Sequence, residues 1–286
     1  MVIIGAHVSI AGSIDKAVDR AQALGCDTFQ IFTRNPRGWR YKELSEDVAE
    51  EFKRKVKSSG MISPVDHMPY LPNLASPNEE NHRKSTDALA VELDRCGVLG
   101  ISHLVTHLGS HLGAGKEVGF ERIAEAAWNA FSRVENDVML FLETTADTKN
   151  SMGGSFQDLR QVMDAVDRED RVGVCLDTCH VFAAGYELRT KTGLRETMDL
   201  FDQIIGLDRL KLVHLNDSRG GLGSRLDRHQ HIGLGEIGEA GFGVILADPE
   251  IRRRPLILET PVDVTRDYKG NIRVVRELAE EGLRLG

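Results

Sequence analysis

The chain is poor in cysteine: Cys26, Cys96, Cys175 and Cys179 are scattered over 286 residues with no Cys-x-x-Cys pair. That argues against a thiolate zinc knuckle and against a disulfide framework, and the four read as buried thiols of a reducing compartment. Long apolar runs are also missing. None approaches the roughly 18 residues that a membrane span needs, and Met1-Val2-Ile3-Ile4-Gly5 breaks at once into Ala6-His7 instead of forming a charged-then-apolar leader. A soluble, cytoplasmic protein with no membrane partner is expected. No Pro/Gly/Ser-rich linker, repeat or low-complexity tract divides the sequence, so residues 1–286 are expected to form one domain. Excess basic charge is absent too: 44 acids against 36 bases leave a formal charge of −8. Nucleic-acid binders usually show a basic footprint, so this balance weighs against a polyanionic partner. Three divalent cations would add six positive charges and bring the −8 to −2, with the positive potential focused at one place. Net charge therefore does not decide the partner.

What the chain does have is concentrated in one segment. Asp227-Arg228-His229-Gln230-His231 packs a carboxylate and two imidazoles together, shortly after His214-Leu215-Asn216-Asp217. A mixture of Asp and His without cysteine suits a hydrolytic metal site that keeps coordination positions open for water and substrate.

Short apolar runs alternate with longer amphipathic ones. Strands are predicted at 2–5, 28–32, 63–65, 103–106, 139–143, 172–177, 210–215 and 256–259. Helices are predicted at 14–24, 45–59, 78–99, 120–134, 156–165, 195–205, 240–246 and 272–281. Strict alternation with continuous apolar strands means a parallel sheet covered by helices, and eight units favour a closed α/β architecture, the (β/α)8 TIM barrel. His7, His67, His107, Glu143, Asp177, His214 and Glu259 all fall at carboxyl ends of these strands. In a barrel those ends meet on one face, where active sites are built. Any one of them could be a cap or a satisfied polar group; seven together point to a site.

Individual motifs carry different weight. Asp177 and His180 lie three apart on the turn leaving the sixth strand, where Asp177 either caps a helix or joins the site. His107 is a candidate ligand, His111 a supporting or structural residue, and His82 and His103, with no accompanying acids, are structural. Glu143 and Glu259 each terminate an apolar strand; a buried glutamate needs a counter-charge, and no basic residue ends any of the eight strands, which favours a metal. The loop Thr33–Tyr41 interleaves three arginines with two aromatics, a composition that either grips phosphates and wedges bases or forms a solvated loop anchored by one ring.

With these residues in view the chain resembles the endonuclease IV family, the zinc-dependent abasic-site endonucleases of base-excision repair. The resemblance runs nearly end to end. It rests on Gly5-Ala6-His7-Val8-Ser9, His67 with Tyr70-Leu71-Pro72-Asn73-Leu74, His107-Leu108-Gly109-Ser110-His111, Cys175–His180 followed by Val181–Tyr186, His214–Ser218, Asp227-Arg228-His229 and Leu256–Thr260. It implies three zinc ions: one on His67, His107 and Glu143; a second sharing Glu143 with Asp177, His214 and Glu259; a third on His180, Asp227 and His229. Such donors also take manganese or iron.

The expected substrate is double-stranded DNA carrying abasic sites or blocked 3′ ends. It would be cut 5′ to the lesion to leave a 3′-hydroxyl, with 3′-end cleaning as a further activity and Glu143 and Glu259 as the catalytic residues. The resemblance also implies that Arg37, Tyr70 and Leu71 insert into DNA, and the enzyme is expected to act as a monomer. Three positions depart from the family pattern: Leu108 for Pro, Thr144 for Asn and Asp147 for Gly. All three neighbour ligands without replacing one. A metal-dependent sugar isomerase or epimerase of the xylose-isomerase-like type is the rival reading. It shares the barrel and many strand-end ligands but has no need of the third group on His180, Asp227 and His229.

Overall fold

The computed structural model describes residues 2–62 and 64–285. Eight parallel strands close a barrel: β1 (Ile4–His7), β2 (Thr28–Ile31), β3 (Val65–His67), β4 (His103–Thr106), β5 (Met139–Glu143), β6 (Val172–Asp177), β7 (Leu210–His214) and, after an antiparallel hairpin of β8 (Asp217–Ser218) and β9 (His229–Gln230), β10 (Leu256–Leu258). β1 pairs with both β2 and β10, which leaves the barrel with no free edge. The helices are α1 (Lys16–Leu24), α2 (Glu46–Ser59), α3 (Glu79–Leu99), α4 (Lys116–Phe131), α5 (Phe156–Val166), α6 (Thr178–Ala184), α7 (Lys191–Ile204), α8 (Gly238–Ala247), α9 (Pro249–Arg252) and α10 (Tyr268–Leu285). Among the described residues, no helix is long and apolar enough to cross a membrane.

The two-residue period of a strand sorts its side chains between two cores. Outward residues such as Ile4, Phe29, Leu104, Leu142, Leu176 and Leu258 join the helices in the large outer core. Val65, Val105, Phe141, Cys175, Leu212 and Ile257 form a separate apolar layer inside the barrel. On β1 the inward slot of this layer is Gly5, where a Cβ would stand 2.0 Å from the carbonyl oxygen of Thr28, so no side chain fits.

Two residues further along seven of the eight strands, on the same face, come His7, His67, His107, Glu143, Asp177, His214 and Glu259, and on β2 the same row holds Gln30. The pleat that buries the apolar layer therefore raises the polar residues directly above it.

Element boundaries differ from expectation in ways that sheet pairing explains. β1 runs over Ile4–His7, two residues beyond the predicted 2–5, because pairing with Thr28–Gln30 and Leu256–Leu258 fixes its register. β3 likewise starts at Val65, and Ser63 of the predicted strand lies outside the described residues. α4 begins at Lys116, four residues before the predicted start. Between β6 and β7 there are two helices where one is predicted. Asp177 starts the extra one, α6, by accepting the His180 backbone N–H at 2.9 Å.

Candidate metal centre

At the carboxyl ends of the strands the side chains close on one another. Glu143 lies at the centre: one oxygen, Oε2, is 3.1 Å from His67 Nε2 and 3.2 Å from His107 Nε2, and the other, Oε1, is 3.0 Å from His214 Nδ1 and 3.5 Å from His180 Nδ1. His214 Nδ1 is also 3.4 Å from Glu259 Oε2 and 3.9 Å from Asp177 Oδ2. On the far side His180 Nε2 is 3.1 Å from Asp227 Oδ1, and His229 Nε2 is 3.5 Å from Asp177 Oδ2.

Four sets have donor atoms within 4.8 Å of one another, three of them without a thiol: His67, His107 and Glu143; Glu143, Asp177, His214 and Glu259; and His180, Asp227 and His229; the fourth is Asp177, Cys179 and His229. These clusters of His, Asp and Glu have the donors to bind metal ions. All nine residues named from the resemblance are in them.

The imidazoles are held in fixed protonation patterns. A carbonyl oxygen only accepts, so the ring nitrogen facing it carries the hydrogen and the other nitrogen offers a lone pair. His67 Nδ1 donates to the Met68 carbonyl at 2.7 Å, His180 Nδ1 to that of Thr144 at 2.8 Å, and His229 Nδ1 to that of Glu259 at 3.2 Å; His214 is turned the other way, with Nε2 donating to Gln30 Oε1 at 2.9 Å. The lone pairs of all four thus face inward, the arrangement that orients metal-binding histidines. Nε2 of His180 and of His229 are buried and make no hydrogen bond. Two orphaned imidazole nitrogens among carboxylates, with no thiolate in the three sets, fit a borderline divalent ion such as zinc.

The electrostatics point the same way. Burial pushes the Glu143 carboxyl up, yet His107, His214 and His67 hold it well below the ordinary carboxylate range. Burial likewise pulls His180 down, but Asp177, Asp227 and Glu143 lift it to about 10, so Nε2 takes a proton that a bound cation would displace. Asp227 is held at about 2, first by the His180 imidazole beside it. The acids demand positive charge from their surroundings. Burial pushes the thiols of Cys175 and Cys179 up to about 12, so Cys179, although close to Asp177 and His229, stays protonated.

Several supporting residues were not legible in the sequence. Asn216 donates to Asp177 Oδ2 at 2.7 Å and accepts the Glu259 backbone N–H at 2.8 Å, tying two strand ends together. Thr144 accepts the Asp177 N–H through Oγ1 at 2.9 Å, so this departure from the family pattern still supports the site. Asp217 accepts five backbone N–H groups, from Ser218, Gly233, Gly235, Ile237 and Gly238, and so pins down the chain around the hairpin that carries Asp227 and His229.

Other candidates fall elsewhere. His231, next to His229, turns away to Asp263 at 3.0 Å and Asn271 at 3.1 Å. His82 bonds the Arg122 carbonyl, His103 stacks on Phe141 beneath the site, and His111 Nδ1 accepts from Gly113 and Gly115. Leu108 is buried in the outer core, and Asp147 pairs with Arg225 at 3.1 Å, linking the loop after β5 to the loop that carries Asp227.

A cavity of about 570 Å³ opens above the donors, lined by His7, His67, His107, His180, Asp227, His229 and Glu259 and walled by Tyr70, Leu71 and Tyr268. Tyr70 and Leu71 are 67% and 42% exposed at its mouth, large for apolar side chains. Phe32 buttresses Tyr70 edge-on at 5.1 Å. Arg37 is exposed on the arginine loop and lies outside the cavity lining. Arg34 of the same loop is buried against Glu92, which leaves only Arg37 and Arg40 of the three free to reach a partner.

Comparison with known proteins agrees with this architecture. The model of the family described as xylose isomerase-like TIM barrel matches residues 18–281. A protein named probable endonuclease 4 from Methanoculleus marisnigri is 58% identical, over 98% of this chain and 99% of that one. The crystal structure of endonuclease IV from Thermus thermophilus superposes with a TM-score of 0.86 at 38% identity, covering 97% of this chain and 99% of that one. A 3-keto-D-glucoside 4-epimerase from E. coli shares the fold alone, with a TM-score of 0.70 at 15% identity over 97% of this chain and 100% of that one. Matched over almost its whole length by these relatives, the chain belongs to the xylose isomerase-like TIM-barrel family and, within it, to the endonuclease IV family.

Proposed function

We propose that the chain is an abasic-site endonuclease, a hydrolase that cuts the DNA phosphodiester 5′ to an abasic nucleotide, leaves a 3′-hydroxyl and also trims blocked 3′ ends. It would work as a monomer with three zinc ions, or manganese or iron in their place. One observation carries this reading: three donor sets, two of them sharing Glu143, stand side by side in a cavity whose mouth displays an exposed Tyr70 and Leu71. The endonuclease 4 names of its relatives support the same activity.

His67, His107 and Glu143 would hold one ion, Glu143, Asp177, His214 and Glu259 a second, and His180, Asp227 and His229 a third. Ions bound there supply Lewis-acid charge for phosphoryl oxygens and acidify water to near-neutral pKa. The protein's part is to hold its lone pairs inward, through the four carbonyl contacts, and to keep Glu143 and Glu259 ionised among imidazoles.

Tyr70 and Leu71 would fill the space left in the duplex when the lesion is extruded, and Arg37 would grip a phosphate nearby. A nucleotide without a base has lost pairing and stacking, so its extrusion costs less, and this gives selectivity. A sugar isomerase would leave the His180, Asp227 and His229 set without a purpose. Incision of an abasic duplex, with and without chelator and alongside bound-metal analysis, tests the proposal. Sugar turnover with no nicking would overturn it.

A further inference from the structure

Gln30 stands on β2 opposite His7 and beside Val65, facing into the barrel and wholly buried. Such a position ordinarily takes an apolar side chain, and a buried amide is tolerated only if its polar atoms are satisfied. Here both ends are used. Its Oε1 accepts from His214 Nε2 at 2.9 Å, and its Nε2 donates to Glu259 Oε1 at 2.7 Å and meets His7 Nδ1 at 3.0 Å. These contacts reach three other strand ends, on β7, after β10 and on β1.

The chemistry of the amide fixes the chemistry of its neighbours. An amide oxygen cannot donate, so His214 carries a hydrogen on Nε2, which leaves Nδ1, 3.0 Å from Glu143 Oε1 and near Asp177 and Glu259, as the nitrogen that would meet a metal. The amide NH₂ has two hydrogens, one for Glu259 and one for His7. His7 Nδ1 is therefore an acceptor, and its own hydrogen sits on Nε2 at the cavity wall. A carboxylate at this position would keep the acceptor for His214 but set negative charge against Glu259. A thioether of the same length would supply neither bond.

We infer that Gln30 is a positioning residue for the donor set of Glu143, Asp177, His214 and Glu259: its amide selects the tautomer of His214 that presents Nδ1 to a metal, and at the same time it aims the Glu259 carboxylate. The inference rests on the metal reading proposed above.

Wild-type protein, Gln30→Met and Gln30→Glu are each loaded with Zn²⁺ and titrated against a competing chelator. Circular dichroism establishes the fold, and Co²⁺ absorption serves as a spectroscopic signature of the site. Both variants should keep the fold and release one ion about 10- to 100-fold more readily, the usual effect of removing a side chain that orients a ligand, while the remaining ions hold as in wild type. The cobalt spectrum of that one site should change with it. Wild-type affinity for every ion in Gln30→Met overturns the inference and leaves the metal reading intact. Wild-type affinity in Gln30→Glu overturns the two-ended role, and that variant also decides the matter if Gln30→Met does not fold. A wild-type chain that binds no metal removes the metal reading and the inference together.

Discussion

Glu143 has the greatest reach of any single side chain, since each of its oxygens faces a different donor set. Glu143→Gln is expected to abolish incision of an abasic duplex while circular dichroism stays unchanged, and Glu259→Gln to do the same. The loss should exceed the 10- to 100-fold typical of residues that only support a ligand; full activity in either variant would remove that residue from the mechanism. These acids were legible because an ionisable group ending an apolar strand has no place in a packed core. Gln30, Thr144 and Asn216 were not, because an amide or hydroxyl at a strand end is ordinary until its partners, tens of residues away, are brought beside it.

Asp66 makes a separate prediction. It faces away from the cavity, accepts the Thr33 N–H at 3.1 Å and the Cys96 thiol at 3.3 Å, and burial together with the charge of Glu92 pushes its carboxyl well above the usual range. A carboxyl with a raised pKa binds more protons folded than unfolded. Its contribution to stability is therefore fully present only below about pH 4 and is lost as pH rises toward the raised value. Asp66→Asn keeps an acceptor for Thr33, adds a donor toward Glu92 and escapes that loss. Its melting temperature should exceed wild type by at least about 2 °C at pH 8 and by less at pH 5. An equal difference at both pH values would contradict this.

At the level of elements, strand and helix identities were readable from periodicity, since eight apolar runs alternate with eight amphipathic ones. Boundaries were not, because hydrogen bonding to neighbours sets where a strand starts, as the two-residue displacement of β1 shows. The β8–β9 hairpin escaped for another reason: two-residue strands have no period to read. Yet this hairpin region carries Asp227 and His229, and Asp217 organises it through five backbone hydrogen bonds. Asp217→Asn should loosen it and weaken the set on His180, Asp227 and His229 by about 10- to 100-fold, leaving the other ions bound. Metal per chain measured during dialysis against chelator checks this, and simultaneous loss of all ions would argue against it. The loop after β3 gives a complementary expectation. Tyr70→Ala should weaken binding to abasic DNA by about 1–3 kcal/mol, the range for stacking aromatics, with metal content unchanged. Gel-shift affinity equal to wild type would remove Tyr70 from the DNA contact.

For the whole molecule, charge and stability are coupled to the same site. Cations that bind only the folded chain stabilise it by mass action, about 2.7 kcal/mol per site at a hundredfold excess over Kd. The melting temperature should therefore climb with free Zn²⁺ and fall in chelator, and indifference to both would speak against resident metal. Strict strand-helix alternation made this architecture legible early, whereas net charge did not decide the partner. The apolar layer of Val65, Val105, Phe141, Cys175, Leu212 and Ile257 beneath the donors has one more effect. It closes the site from beneath, on the side of the barrel interior. On the proposed reading, ions would have to be seated before a nucleic acid lies across the cavity mouth, a bound strand would then seal them in against scavengers, and cleaved product would have to withdraw before anything spent could be replaced.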